Sequence, residues 1–103
     1  MSFLGVHTRL LIVLFYSMKG TQKKVTVVQN PKVTLKKIGA KLKKLRKESG
    51  YENGDDFAYD NEINRSQYGK YEAGAQDMRV SSLMKTVNSM GLTLEEFFRD
   101  GLD

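Results

Sequence analysis

The sequence contains no cysteine, a single histidine and a single proline among its 103 residues. Without cysteine the chain can form neither a disulfide framework nor a thiolate metal site, which is typical of a protein in a reducing cytoplasm. The single histidine, His7, leaves no His-based catalytic pair and no His-rich metal site. The glycines form no phosphate-binding pattern, and the acids between residues 55 and 62 lack the spacing of a calcium loop. We therefore expect a cytoplasmic protein that is not an enzyme and that needs no cofactor and no metal ion.

Long apolar runs are missing as well. The longest, Leu10–Tyr16, has seven residues, whereas a membrane-spanning helix takes about 20, so we expect no membrane partner. The residues that follow contain no small-residue cleavage site of the kind that ends a secretory signal. We interpret residues 1–17 as an upstream extension of a natural start at Met18. The alternative is an apolar strand that pairs in a dimer.

Charge is divided unevenly along the chain. Residues 1–50 hold 12 Lys and Arg against one acid, a net of +11, and residues 51–103 hold 5 against 11, a net of −6. A basic half favours a polyanion partner, because Lys and Arg that neutralise phosphates release counterions. The alternative, that these lysines only solvate one helix face, stays open at this point.

Residues 1–32 form a basic N-terminal arm in our interpretation, either flexible or with one short strand. Val25–Val28 is a short β-favouring run, and Asn30-Pro31 is interpreted as a break before the first helix. A lone strand needs a partner, so a strand here would pair with another chain. A flexible basic arm could instead follow DNA phosphates or reach into the minor groove.

Residues 33–101 show the pattern of a helical domain. The first helix has one apolar side with spacings of three and four, formed by Leu35, Ile38, Leu42 and Leu45. We expect its N-cap at Thr34 and its end at Ser49-Gly50. A later helix, closed by Gly91, has an expected inward side of Val80, Leu83, Met84 and Val87. The last helix begins with a capping box of Thr93 and Glu96 and has an apolar side of Leu94, Phe97 and Phe98.

Between these helices, residues 55–74 indicate two short helices joined by a tight polar turn. Phe57-Ala58 is the apolar part of the first helix. Asn64 is a good N-cap for the second, because its side-chain oxygen can accept from the free N–H groups that open a helix. Tyr68 and Tyr71 stand three apart and share a face. A helix, a turn and a second helix with polar side chains at its N-terminal end is the geometry that enters a DNA major groove.

At these residues the chain resembles the lambda-repressor/Cro-like helix-turn-helix regulators, the XRE family. The resemblance is carried by Phe57-Ala58, by the run from Ile63 to Gly74, which stops the helix, and by a continuation through residues 80–84 and 90–98. It spans about residues 34–100 and is closest to a subgroup common in Bacteroidetes-type bacteria. It implies an all-α, five-helix, lambda-repressor-like DNA-binding domain, with the helix of residues 65–73 in the major groove.

Two residues depart from the family pattern. Gly54 stands where the family usually has a Gln that contacts phosphate and supports the recognition helix, so the usual phosphate contact is in doubt. Glu62 stands where the turn usually has Gly. The left-handed backbone conformation of the turn is therefore expected to move to Asn61 or to be strained.

The resemblance implies a set of DNA contacts. The base-contacting positions are Asn64, Arg65, Ser66, Gln67 and Lys70, and the phosphate-contacting positions are Gln76, Arg79 and Ser81. Arg can bond two acceptors of guanine and Gln can pair with adenine, each worth on the order of 1–3 kcal/mol of discrimination. The alternatives are that Arg65 pairs with neighbouring acids, that Glu72 bonds within the domain, and that the two tyrosines are half-buried supports.

These observations predict a bacterial transcriptional regulator, a repressor in our interpretation, that binds double-stranded DNA in a sequence-specific manner as a homodimer on a two-fold operator. The alternative is an antitoxin-like or other protein-interaction module, in which the basic segment of residues 18–33 folds on a protein partner and DNA binding is secondary. Order of that segment through self-pairing would favour the dimeric regulator.

Overall fold

The computed structural model describes residues 24–103. The apolar run Leu10–Tyr16 and the expected natural start at Met18 lie outside these residues. Within them the chain forms five helices and no strand: α1 Pro31–Glu48, α2 Gly54–Asp60, α3 Arg65–Ala73, α4 Val80–Ser89 and α5 Leu94–Arg99. The predicted all-α, five-helix fold is confirmed. No helix in the described part of the chain is both long and apolar enough to cross a membrane.

Helix α1 begins earlier than the sequence predicted. Asn30 is its N-cap, with the side-chain oxygen accepting from the Lys32 N–H at 3.0 Å, and Pro31 is its first residue. The predicted cap at Thr34 was wrong because Asn-Pro was interpreted as a break. Proline suits a first helical position, since the N–H that it lacks would have no partner in the helix there. Residues 24–30 belong to no helix or strand.

All five helices contribute to one apolar core. Its buried side chains are Ile38, Leu42, Phe57, Ala58, Tyr68, Tyr71, Leu83, Val87 and Phe97. The ring of Phe57 packs against those of Tyr51 and Tyr68, at centroid distances of 5.4 and 5.1 Å. Tyr68 and Tyr71, expected to be half-buried, are only 1% and 4% exposed, so they are core residues.

Helix α4 presents a different side to the core from the one predicted. Leu83, Thr86 and Val87 are buried, whereas Val80 and Met84 are 68% and 46% exposed. Thr86 can occupy an inward position because its hydroxyl donates to the Ser82 carbonyl at 2.9 Å, which satisfies its polar group. With Thr86 inward, Val80 and Met84 turn to the surface, and their assignment to the inward side was wrong.

Two glycines allow α1 and the end of α3 to approach closely. A Cβ on Gly39 would lie 2.4 Å from the Glu72 carbonyl oxygen and 2.5 Å from that of Tyr71. A Cβ on Gly74, the αL residue that ends α3, would lie 2.6 Å from the Cα of Lys36. Both contacts are with backbone, so neither partner can give way as a side chain could. They fix the position of α3 against α1.

The C-terminal helix is held by α1. The predicted capping box of Thr93 and Glu96 is present at its start, with both hydrogen bonds at 3.0 Å. At its end, the ammonium group of Lys41 donates to the Phe97 carbonyl and, at 2.8 Å, to the Gly101 carbonyl. A cation at this place complements the negative end of the helix dipole. Lys41 is therefore a structural residue, a role that the sequence analysis did not predict.

Candidate nucleic-acid interface

The turn between α2 and α3 is built around Glu62. Its φ is 57°, whereas that of Asn61 is −109°, so the left-handed conformation stays at Glu62 and does not move to Asn61. The turn is held from two directions. The Ile63 N–H donates to the Ala58 carbonyl at 2.8 Å, and the Lys85 ammonium group, from α4, donates to the Glu62 carbonyl at 2.9 Å.

Helix α3 begins and ends where the sequence predicted. The Asn64 side-chain oxygen accepts from the Gln67 N–H at 2.9 Å, and Gly74 ends the helix with φ 66°. The cap uses the side-chain oxygen of Asn64. The side-chain amide group can therefore contact a base only as a hydrogen-bond donor, through its N–H groups. The cap also sets the direction of the first turn, which carries three of the candidate base-contacting residues.

The five candidate base-contacting residues all lie on the surface. They are Asn64, Arg65, Ser66, Gln67 and Lys70, and each is exposed. Tyr68 and Tyr71 of the same helix point into the core, so the polar residues occupy the opposite side of α3. The alternative that Arg65 pairs with neighbouring acids finds no support, because it forms no ion pair with any of residues 24–103. Gly69 lies on the same outward side, and a Cβ added to it would have no neighbouring atom within 4 Å.

A shallow groove of about 210 Å³ adjoins these residues. It lies between the turn, α3 and α4, and its polar lining includes Asn64, Gln67, Ser82 and Lys85. Lys85 and Ser82 were not among the predicted site residues, since a lysine and a serine in the middle of a surface helix look the same in sequence whichever way the helix faces.

The start of α4 differs from that of the other four helices. Helices α1, α2, α3 and α5 each have an N-cap side chain that accepts a backbone N–H, whereas Arg79, the N-cap of α4, does not. Free N–H groups at a helix start, with the positive end of its dipole, are suited to an anion. Arg79 and Ser81 are exposed here, and Gln76 is half-buried in the preceding loop.

A buried ion pair joins α1 to α3. The Arg46 guanidinium donates to both carboxylate oxygens of Glu72, at 2.7 and 3.1 Å, and to the Tyr51 carbonyl at 2.8 Å. The two side chains are 5% and 13% exposed. The hydrogen bond to Glu72 raises the pKa of Arg46, so the group stays charged. The expected role of Glu72 within the domain is confirmed, and its partner, Arg46, was missed because it stands among surface lysines in the sequence.

Next to this pair, the hydroxyl of Tyr68 is buried and makes no hydrogen bond with any described residue. Burial, and then the neighbouring Glu72 carboxylate, raise the pKa of Tyr68. Folding therefore favours the neutral form of this phenol. Among residues 24–103 no three acidic or histidine side chains come together in a way that could hold a metal ion.

One comparison with known proteins gives a relative. The chain is 36% identical over 64 residues to the control protein C.MunI of Mycoplasma sp, an alignment that covers 62% of this chain and 86% of that relative. No family model and no solved structure matches the chain. The relative does not support the Bacteroidetes-type subgroup, but identity at this level over most of its length indicates one family.

Proposed function

The chain belongs to the lambda-repressor/Cro-like family of helix-turn-helix transcriptional regulators, and on this premise we propose that it binds double-stranded DNA in a sequence-specific manner. Helix α3, residues 65–73, enters the major groove in this proposal. Arg65, Ser66, Gln67 and Lys70 face base edges, and Asn64 lies at the helix start.

The observation that carries the proposal is that α3 has one side anchored to the domain and one polar side exposed to solvent. One side is fixed to the domain by Tyr68, Tyr71 and the Glu72–Arg46 pair, and the other presents only small or polar side chains to solvent. A reading helix needs both properties, because base contacts discriminate only when the helix is held in one position. The absence of bulky apolar groups on its outward side also allows a close approach to the groove.

Phosphate contacts are proposed at the start of α4. Arg79, Ser81 and the uncapped N–H groups of that helix would hold one phosphate, with Gln76 beside them in the loop. Contacts of this kind set the register of α3 on the duplex without reading sequence. They replace the contact that the family usually makes from the position of Gly54.

The functional unit in this proposal is a homodimer that represses transcription in the bacterial cytoplasm, on the nucleoid. Exposed apolar side chains on the last two helices support self-association: Val80 and Met84 on α4, and Phe98 on α5, which is 40% exposed. A two-fold dimer presents two α3 helices to half-sites about one helical turn apart. The operator should accordingly be a two-fold sequence.

The test is a selection of bound sequences from a pool of random duplex DNA. Wild-type protein is compared with Arg65→Ala/Lys70→Ala, and the charge-matched control is Lys43→Ala/Lys47→Ala, which removes two cations from the outer side of α1. We expect a two-fold motif with the wild type and the control, and its loss with the α3 variant. Binding without any enriched motif, equal in all three proteins, would contradict the proposal. A protein-interaction module would then be tested by pull-down.

A further inference from the structure

Lys85, on α4, reaches the turn that precedes α3. Its ammonium group donates to the Glu62 carbonyl at 2.9 Å, between residues that are 23 positions apart in the chain. Among residues 24–103 Lys85 forms no ion pair, and residues 1–23 contain no Asp or Glu that could supply one. The lysine is therefore directed at a main-chain oxygen of the turn and not at a carboxylate.

The two ends of α3 are anchored differently. From Tyr68 onward the helix is fixed by side chains in the core, including Tyr71, and it ends at Gly74 against the backbone of α1. Residues 64–67, by contrast, are all exposed, so the first turn of the helix has no anchor of its own in the core. The orientation of this first turn therefore depends on the turn that leads into it.

That turn holds a strained conformation with few contacts. Glu62 has φ 57°, and a side chain in this conformation persists only where the surrounding structure holds it. The main-chain hydrogen bonds of residues 61–63, such as that from the Ile63 N–H to the Ala58 carbonyl at 2.8 Å, all lead back to α2. In the described part of the chain, Lys85 supplies the hydrogen bond that ties these residues to a further helix.

We propose that Lys85 is a positioning residue, which sets the orientation of the first turn of α3 and through it the base selectivity of the protein. Lys85 fixes the carbonyl of Glu62, two residues before the cap of α3, and it lines the same groove as Asn64 and Gln67. The cap in turn holds the Gln67 N–H at 2.9 Å, so a shift of the turn moves residues 64–67 together. The inference rests on the proposed function for its effect on DNA, and in it Lys85 touches neither base nor phosphate.

The exposure of Lys85 separates this role from two others. The side chain is exposed, and a hydrogen bond in contact with water contributes little to the free energy of unfolding, because water can replace the lost partner. Its removal should therefore leave the domain folded while the turn gains freedom. Removal of a phosphate-contacting lysine would instead weaken binding to every sequence and reduce the salt dependence.

The first measurement uses the full chain without DNA. Amide hydrogen exchange by NMR is compared among wild type, Lys85→Met and Lys85→Arg, which keeps a donor at the end of a long side chain. We expect the Ile63 and Gln67 N–H groups to exchange roughly fivefold or more faster in Lys85→Met, through local opening, and at the wild-type rate in Lys85→Arg. The Ala75 N–H, which donates to the Lys70 carbonyl at the other end of α3, should be unchanged.

The second measurement compares affinity for the selected motif with affinity for duplexes that differ from it by one base pair. Lys85→Met should lose about tenfold of this discrimination, since a displaced side chain loses its base contact, at the same base positions that Gln67→Ala relaxes. Its affinity for a duplex without the motif, and the salt dependence of that affinity, should equal those of the wild type. Lys85→Arg should keep the wild-type selectivity.

Three outcomes would overturn the inference. One is unchanged exchange at Gln67 in Lys85→Met. Another is faster exchange with unchanged selectivity, because the role of Lys85 would then be structural only. The third is an equal loss of affinity for every duplex with a shallower salt dependence, which would make Lys85 a phosphate contact. If the wild type selects no motif, the proposed function fails, and the exchange at Gln67 alone decides whether Lys85 positions the first turn of α3.

Discussion

Glu62 has φ 57°, and every other residue with positive φ in the described part of the chain is a glycine. A side chain in this conformation costs roughly 1–2 kcal/mol, because the Cβ crowds the following carbonyl oxygen. The turn persists since Lys85 and the Ile63 N–H hold it through hydrogen bonds. This conformational strain lies in the turn between α2 and α3, which positions the N-terminal end of α3.

We expect Glu62→Gly to raise the free energy of unfolding by about 0.5–1 kcal/mol. The relief of crowding exceeds the entropy that a glycine adds to the unfolded chain. Urea unfolding measures the change. Glu62→Ala is the control, because it removes the carboxylate but keeps a Cβ, and it should give no gain. A Gly variant less stable than the wild type would show that the Glu62 side chain itself stabilises the turn.

The buried hydroxyl of Tyr68 should lower the free energy of unfolding, because it has no hydrogen-bond partner among the described residues. We expect Tyr68→Phe to raise the free energy of unfolding at neutral pH by about 1 kcal/mol, since an unsatisfied buried hydroxyl costs about 1–3 kcal/mol. The variant should also change the pH dependence. The pKa of Tyr68 is raised in the folded state, so above pH about 10 the unfolded chain ionises first and the wild type loses stability.

The measurement is urea unfolding of both proteins at neutral and alkaline pH. The lysines titrate in both, so their contribution cancels in the comparison. The wild type should lose more stability than Tyr68→Phe between pH about 9 and 11. Parallel losses in the two proteins would mean that the phenol ionises as easily in the folded state as in the unfolded one.

Helices α1 and α3 are coupled by the Arg46–Glu72 pair as well as by packing. Arg46→Met should lower the free energy of unfolding by about 3 kcal/mol, because it leaves the Glu72 carboxylate buried without a partner. Arg46→Met/Glu72→Met should recover much of this loss, since the double variant leaves no unpaired charge. A double-mutant cycle by thermal unfolding measures the coupling. Additive losses in the cycle would show that the pair contributes no mutual stabilisation.

The glycines of α1 and α3 offer a matched comparison. Gly39→Ala should destabilise the domain by about 2 kcal/mol or more, because its Cβ would meet the Glu72 carbonyl. Gly69→Ala should instead stabilise it by about 1 kcal/mol, since the space around Gly69 is open and alanine is the better helix former. Chemical unfolding of both variants tests this, and similar changes in the two would contradict the close approach of the helices.

The helices themselves were predictable because their signals are local. The cap at Asn64, the capping box of Thr93 and Glu96, and the burial of Phe57 and Phe97 follow from residue type and spacing. The roles of Gly39, Lys41 and Arg46 were not predictable, because each depends on an atom more than 20 residues away in the chain. Sequence periodicity shows that a helix has a buried side. It does not show against which neighbouring element that side packs, and this decides which residues are buried. For the same reason Val80 and Met84 were assigned to the wrong side of α4, and the burial of Thr86 was not predicted.

At the scale of the whole molecule, the proposed reading helix α3 lies in the acidic half of the chain. Residues 51–103 carry a net charge of −6, and the cations proposed to touch the operator are Arg65, Lys70 and Arg79. Arg79 is the one cation among them that is proposed to neutralise a phosphate, so the slope of log K against log salt for the motif should be shallow, about −1 per protomer. Electrophoretic mobility shifts at several salt concentrations measure it. A much steeper slope, reduced by substitution of Lys43, Lys44 and Lys47 on α1, would mean that α1 contacts the operator.

The close contact of Gly39 and Gly74 with backbone has a consequence for how errors in an operator are tolerated. A helix locked to its neighbour through main-chain atoms cannot tilt or slide to suit an imperfect sequence. For the proposed DNA-binding role, the adjustment must then come from the duplex, by bending, twisting or a change in groove width. Base steps that the protein never touches would influence affinity through their stiffness, and flexible pyrimidine–purine steps between half-sites would be favoured.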